Sequence, residues 1–197
     1  MKPKLVLIGG GGHCAACIDV IEQEDKFEIA GIVDKNSVSV MLLGYPFLGG
    51  DDDLEDIRSS YDYAFITIGQ IKSPLIRIRL FEYAKSLGFV IPSIISPRAY
   101  VSRHAFMAEG SIIMHDALVN SRASIGRNCI VNSKALVEHD AVIEDYCHIS
   151  TAAVVNGGAT IKLGTFMGSN AVTKESVRTK ENDFIKAGSL FTGYAND

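Results

Sequence analysis

The chain has 197 residues, 47% of them apolar and 21% charged, with a net charge of −4, which suits one large domain or two small ones. An acidic balance argues against a nucleic-acid surface, because neutralising phosphates needs a basic stripe. No apolar run approaches eighteen residues and the first residues run straight into a strand, so neither a membrane span nor a secretory signal is expected, and the setting is read as the cytoplasm.

Residues 4–8, Lys-Leu-Val-Leu-Ile, read as a short buried parallel strand, followed at once by Gly9 to Gly12 and His13. A helix is expected from near Cys14 through Ile18 and Ile21, then a strand over 28–33 that ends in Asp34. This is the opening of a nucleotide-binding βαβ unit: glycines let the backbone approach a phosphate, the helix N-terminus faces its charge, and an acid closes the second strand. Gly10-x-Gly12-x-x-Ala15 matches the dinucleotide fingerprint loosely. Cys14 and Cys17 form C-x-x-C, but without a second such pair or a His pair, and inside a helix start, they point to neither redox nor zinc chemistry. Residues 35–60 are rich in turn formers (Gly44, Pro46, Gly49, Gly50) and reach an acidic helix start at Asp51, Asp52 and Asp53. A strand over 63–68 leads to Gly69 and Gln70, a helix after Pro74 runs through Arg77, Leu80 and Tyr83 to Gly88, and a last strand, 89–95, gives way to Pro97. A first domain of residues 1–97 has room for one mononucleotide half, not for the two halves of a dinucleotide fold, which disfavours an NAD-linked oxidoreductase.

Residues 98–197 follow a different rule. From Val101, every sixth residue through Ile113, Val137 and Ile149 to Met167 is aliphatic or Met, and a small residue such as Ala117, Ala141 or Cys147 follows four positions later. Helical faces recur near 3.6 residues and strand faces at two, so neither uses a period of six. A parallel β-helix does: three short strands make a coil of eighteen residues, and successive coils stack about 4.8 Å apart. Cys129 and Cys147, eighteen apart at the small position, are expected as stacked space-fillers. Thr173, Thr179, Ile185 and Phe191 keep the register, but only the last two are expected in the core. Residues 173–184 read as a looser strip, and Ile185 and Ser189 resume the repeat. Lys174, Arg178, Lys180 and Lys186 lie near the distal end, either as a solvated face or as partners for phosphates.

The richest polar cluster of the repeat is Glu138, His139 and Asp140, followed by Glu144, Asp145 and His148. With Val137 and Ala141 inward, His139 points outward, stacked between Ser121 and Gly157 one coil away on either side. An imidazole with an adjoining carboxylate on a rigid wall is what general-base catalysis needs. His104 and His115 have no such cluster and read as inert.

Residues 132–150, Asn-Ser-Lys-Ala-Leu-Val-Glu-His-Asp-Ala-Val-Ile-Glu-Asp-Tyr-Cys-His-Ile-Ser, together with the Gly-rich start and Ile68-Gly69-Gln70, resemble the NeuD/PglD group of bacterial sugar acetyltransferases over essentially the full length. The resemblance implies a Rossmann-like α/β domain followed by a left-handed parallel β-helix of hexapeptide repeats, a homotrimer, and transfer of acetyl from acetyl-CoA to an amino group on a nucleotide-linked sugar. It implies His139 as general base with Asp140 as its partner, where some members carry Glu. It places His148, Gly157, Ser169 and Ala187 along acetyl-CoA, and Gly11, Gly12, His13, Asp34, Gly69 and Gln70 at the nucleotide end of the sugar. Lys35 stands where relatives often carry a second acid, and the segment after Gly69 is longer than in some members.

The reaction so implied is N-acetylation of a UDP-linked 4-amino sugar in bacterial surface glycan biosynthesis. A thioester needs no metal, and no activated Ser or Cys stands out, so direct transfer is expected over an acyl-enzyme. Two other readings are open: O-acetylation of sialic acid or another sugar hydroxyl, and a non-catalytic trimeric partner that binds a sugar nucleotide.

Overall fold

The structure, a computed structural model, describes residues 1–35 and 40–194. Residues 36–39, part of the turn-rich excursion expected over 35–60, lie outside the described residues. Two compact units are present: Met1–Gly69 with Leu75–Pro92, and Gln70–Pro74 with Ser93–Asp197.

The first unit runs β1 (Lys4–Ile8), α1 (Gly12–Glu24), β2 (Glu28–Val33), β3 (Met41–Leu42), β4 (Tyr45–Gly49), a 3₁₀ turn at Asp51–Asp53, α2 (Leu54–Arg58), β5 (Tyr63–Ile66) and α3 (Leu75–Ser86). The sheet order is β3-β4-β2-β1-β5, with β1 parallel to both β2 and β5. Leu5, Val6, Leu7 and Ile8 are all fully buried, as befits a central parallel strand covered on both faces. The chain leaves β1 toward β2 on one side and returns to β5 on the other. The connections that leave the carboxyl ends of β1 and β5 therefore run in opposite directions, a topological switch point, where open α/β sheets bind ligands. Thr67 ties this end together, its buried hydroxyl donating to the carbonyls of Gly9 (2.6 Å) and Ile8 (3.1 Å). Arg77 of α3 is buried and donates to the carbonyl of Ile68.

The strand expected over 89–95 is divided between the units. Val90 forms an isolated bridge with Tyr63 in the first, while Ile94–Ile95 (β6) pairs with Ile112–Ile113 as the first rung of the second. Pro92, which has no amide hydrogen to give to a ladder, stands between them.

From β6 onward, two-residue strands recur every six residues to Val172–Thr173, skip the place at 178, where Arg178 forms only an isolated bridge with Thr160, and resume at Phe184–Ile185 and Leu190–Phe191. Among the described residues they form three parallel walls. One carries Ile112–Ile113, Ile130–Val131 and His148–Ile149. A second carries Leu118–Val119, Leu136–Val137 and Val154–Val155, and a third Ser124–Ile125, Val142–Ile143 and Thr160–Ile161. Partners in each ladder are eighteen residues apart, as Leu136 with Val154 and Val137 with Val155. The expected aliphatic and small positions fill one interior, from Ile113 through Val137, Ala141 and Ile149 to Met167 and Ala171, with Val101, Ala105, Met107 and Phe191 partly buried at its ends. Cys129 and Cys147 are buried in the same core.

The coil interior also departs from expectation at two threonines. Thr173 and Thr179 are buried, because each hydroxyl accepts a backbone N–H from the preceding coil, Asn156 at 2.9 Å and Lys162 at 2.8 Å. The tight element of each corner is the residue just before the small one. Asp116, Arg122, Asn128, Lys134, Asp140, Tyr146, Ala152, Gly158 and Gly164 all have positive φ, at intervals of six. Asn, Asp and Gly tolerate this left-handed conformation best, and they occupy most of these sites.

Packing of the interior predicts a sharp contrast within one coil. Ile149→Ala, fully buried, should cost about 2–5 kcal/mol, and Val142→Ala, 37% exposed on the outer surface, no more than about 0.5 kcal/mol. Urea unfolding of both variants measures it, and equal costs would contradict the assignment of inner and outer faces.

Candidate active site

The first unit holds a cavity of about 580 Å³ at the carboxyl ends of its strands, lined by Gly9, Gly11, Gly12, His13, Asp34, Lys35, Asp51, Thr67, Gly69 and Arg79 among others. Its size is that of a small-molecule site. The four glycines do different work. A Cβ on Gly9 would meet Ile68 at 2.3 Å and one on Gly10 would meet Phe47 at 2.6 Å, whereas Gly11 and Gly12 have nothing within 4 Å. Gly9 and Gly10 are thus required by packing, and Gly11 and Gly12 leave open space beside the N-terminus of α1. That helix has no side-chain cap and no acidic residue in its first turn, so its leading N–H groups and positive dipole end are available to an anion. Asp34 accepts the Gly10 N–H at 2.6 Å, fixing the carboxylate at the mouth. Asp51 and Arg79 pair across the rim at 2.9 Å. His13 and Gly69 adjoin, a Cβ on Gly69 falling 3.4 Å from that of His13. Gln70, expected beside them, belongs to the second unit. It is buried there, its side-chain amide donating to the carbonyl of Gly164 at 3.0 Å.

Cys14 and Cys17 face the interior of the first unit. Burial pushes the Cys14 thiol up to about 11 and the Cys17 thiol higher still, so neither is a thiolate at neutral pH. Among the described residues no cluster of His, Cys, Asp or Glu has the make-up to hold a metal ion, and no helix is long and apolar enough to cross a membrane.

In the second unit His139 stands on a corner, its side chain 61% exposed. Its backbone is held from both sides: the next residue's N–H donates to Ser121 in the coil above, and Gly158 donates to the His139 carbonyl from the coil below, at 3.0 Å. Asp140 occupies the left-handed corner position at φ +60°, and its Oδ2 lies 2.8 Å from Nδ1 of His139. The carboxylate is also gripped by Arg122, eighteen residues earlier, whose Nε and Nη2 donate at 2.6 and 2.7 Å. Arg122 first, and His139 second, hold the Asp140 carboxyl well below the usual carboxylate range. An ionised carboxylate only accepts, so Nδ1 of His139 carries the proton and Nε2 is left as an acceptor. That side of the ring lies over Gly157, where a Cβ would be 2.8 Å from both Cε1 and Nε2. Glu138 completes the corner, accepting from Asn120 (2.8 Å) and from the His139 N–H (3.2 Å). Arg122 and Asn120 were absent from the sequence reading, although each is eighteen residues before a residue of the Glu-His-Asp block.

The four residues expected along acetyl-CoA do not meet at one point of the chain. Gly157 is under His139. Ser169 and Ala187 stack on a neighbouring corner, where the Gly188 N–H donates to the Ser169 carbonyl at 2.8 Å and Ser169 Oγ pairs with Ser150 Oγ at 3.0 Å. His148 is buried: Nδ1 donates to the carbonyl of Gln70 at 2.6 Å, Nε2 lies 3.2 Å from the Asn132 amide, and the ring stands edge-on to Phe166. In this arrangement it holds residues 70–74 to the wall. His115 pairs with Ser96 Oγ at 2.6 Å.

Residues 4–84 match the PglD N-terminal domain family. The whole chain is similar to solved bacterial structures of hexapeptide-repeat acetyltransferases. The acetyltransferase domain of PglB from Neisseria gonorrhoeae, in complex with acetyl coenzyme A, is 26% identical, with a TM-score of 0.91 over 98% of this chain and 92% of that one. PerB from Caulobacter crescentus, in complex with CoA and GDP-perosamine, is 28% identical, with a TM-score of 0.90 over 98% and 90%. A histidine variant of the GDP-perosamine N-acetyltransferase from the same organism is 25% identical, with a TM-score of 0.70 over 96% and 93%. No curated protein sequence matches the chain. The resemblance to NeuD/PglD-like sugar acetyltransferases is borne out, and so is the fold class, a Rossmann-like α/β unit followed by a left-handed parallel β-helix.

The differing roles of the glycines predict that Gly10→Ala, which must displace the Phe47 ring, lowers stability by about 1–3 kcal/mol. Gly11→Ala should leave stability within about 0.5 kcal/mol and weaken the binding of nucleoside diphosphates at least tenfold. Thermal unfolding and calorimetric titration with UDP and GDP separate the two, and a Gly11→Ala chain that binds as tightly as the parent would contradict the reading.

Proposed function

We propose that the chain transfers the acetyl group of acetyl-CoA to the amino group of a nucleotide-linked sugar, with His139 as general base and Asp140 as its partner. The observation that carries this reading is the His139 corner: an outward imidazole, its proton held on Nδ1 by a carboxylate, with Nε2 presented over a glycine notch. The open glycines at the α1 N-terminus supply a place for a diphosphate, with Gly11, Gly12, His13, Asp34 and Gly69 around it. The complexes of PglB with acetyl coenzyme A and of PerB with CoA and GDP-perosamine support both halves of the reaction. Within this class we favour a UDP-linked 4-amino sugar of bacterial surface glycan biosynthesis. The four free cysteines accord with a cytoplasmic setting.

The steps follow from the groups present. A sugar ammonium first gives one proton to solvent, and the neutral amine nitrogen then attacks the thioester carbonyl. Nε2 of His139 accepts a proton from the attacking nitrogen as the C–N bond forms. The tetrahedral oxyanion is met by backbone N–H groups at the coil edge. Collapse breaks the C–S bond, and the imidazolium returns the proton to the departing CoA sulfur. No protein nucleophile takes part.

A homotrimer completes this proposal. The wall bearing Leu118, Leu136, Val154 and Val172 presents an outward apolar row, partly buried along its middle and ending in the exposed Tyr100 and Leu190. That wall lies between the His139–Gly157 corner and the Ser169–Ala187 corner. Three copies closing a ring on it bring the first corner of each copy to the second corner of the next, a head-to-tail contact that closes. Gly157, Ser169 and Ala187 then reach one cofactor from two chains, with His148 supporting from behind.

With acetyl-CoA and a panel of amino-sugar nucleotides, the chain should release CoA thiol and form a product stable to mild base, as an amide is and an ester is not. His139→Ala should lower kcat about 10²–10⁴-fold with the fold intact, and a variant at full rate would remove His139 as the base. Val154→Glu should shift the solution mass from trimer to monomer and abolish acetyl-CoA binding; a parent chain that is monomeric and fully active would contradict the ring.

A further inference from the structure

One arrangement recurs along the solenoid: an arginine forked onto an aspartate eighteen residues later. Arg98 grips Asp116 at 3.2 and 2.7 Å, Arg122 grips Asp140 at 2.6 and 2.7 Å, and Arg127 reaches Asp145 at 2.9 Å. The first two aspartates share more. Each follows a histidine and each sits at a left-handed corner, with φ of +59° and +60°. Their histidines nevertheless behave differently: His115 turns Nδ1 to Ser96 Oγ, and His139 turns Nδ1 to Asp140 Oδ2.

We propose that Arg122 is a positioning residue for His139: its guanidinium fork fixes the plane of the Asp140 carboxylate, which in turn keeps the proton on Nδ1 and the acceptor lone pair on Nε2 over Gly157. The inference rests on the reading of His139 as the base. All three side chains are well exposed, Arg122 at 73%, His139 at 61% and Asp140 at 40%. Exposed ion pairs of this kind add little to stability. The terminal torsion of an aspartate is broad and unfixed unless its oxygens are held, and a bidentate arginine holds both in one plane. Arg122 shares the left-handed corner row with Asp140, at φ +59°, so the stacking of coils sets the fork above the carboxylate. Below it the row continues with Gly158, which brings no side chain against Asp140. The charged groups facing the imidazole are Arg122 from the coil above and Glu138 and Asp140 from its own coil; Gly157 and Gly158 of the coil below carry none. Lysine is no substitute, since an ammonium supplies charge without the planar fork.

The test uses the full chain with R122Q, R122K and R98Q. Nitrogen-15 NMR of the His139 ring reads the tautomer directly, without substrate. The parent and R98Q should show the Nδ1–H form, and R122Q should show a mixture with Nε2–H. R122K should resemble R122Q, not the parent. In acetyl transfer, R122Q and R122K should lose about tenfold in kcat, a part of the ~10²–10⁴ that a general base supplies, with KM within about twofold and melting temperature unchanged. R98Q should keep the parent rate. A parent ring in the Nε2–H form, or an R122Q chain with the parent tautomer and kcat, overturns the proposal. Absence of acetyl transfer in the parent would instead remove the proposed function, because the tautomer measurement stands without it.

Discussion

The backbone ladder between residues one coil apart is the constraint on which the second unit depends. Leu136 donates to Ala153, Glu138 to Val155 and Val142 to Ala159, each at 2.9 Å, and the same step repeats along the walls. Because the period is fixed at eighteen, each side chain inherits its neighbours above and below from the sequence itself. A buried aliphatic lies on buried aliphatics, and an outward residue lies in a row whose members are set by counting. His139 owes its surroundings to this: Ser121 and Arg122 above, Gly157 and Gly158 below. A loop would have to hold the same imidazole by side-chain contacts alone, at a greater entropic cost.

The first unit solves a different problem with the same economy of parts. Its central strand is buried on both faces, so it offers only its carboxyl end to solvent, and there the chain changes direction between β1 and β5. Two glycines close the packing against Ile68 and Phe47, and two leave the helix N-terminus bare. The division explains why four glycines occur in succession where a fingerprint asks for fewer. Charge is supplied around the cavity by Asp34, Lys35, Asp51 and Arg79, and the glycines bring none.

Much of this was legible in the sequence, for identifiable reasons. A period of six admits almost no competing structure, so the interior from Ile113 to Ala171 and the outward placement of His139 followed from counting alone. The βαβ opening was equally readable from its apolar run, glycines and Asp34. What escaped were contacts that periodicity does not encode. His148 sits at an outward position of its wall, yet it is buried because Gln70, seventy-eight residues earlier, returns to cover it. Residues 89–95 have the composition of one strand, but Val90 and Ile94 serve different sheets. The buried threonines at 173 and 179 looked too polar for a core, and their hydroxyls turn out to satisfy backbone N–H groups that would otherwise lack a partner. Arg122 was within reach of the same counting that found Gly157, since it stands eighteen residues before Asp140.

The central claim is that the stacked coils place one nitrogen of one imidazole at the reacting amine. A crystal structure of the chain with CoA and an amino-sugar nucleotide that it acetylates measures this directly. The account predicts the sugar nitrogen at hydrogen-bond distance, about 2.6–3.2 Å, from Nε2 of His139, with Nδ1 still on Asp140. An amine bound against another wall, or facing a ring turned away from Asp140, would contradict it.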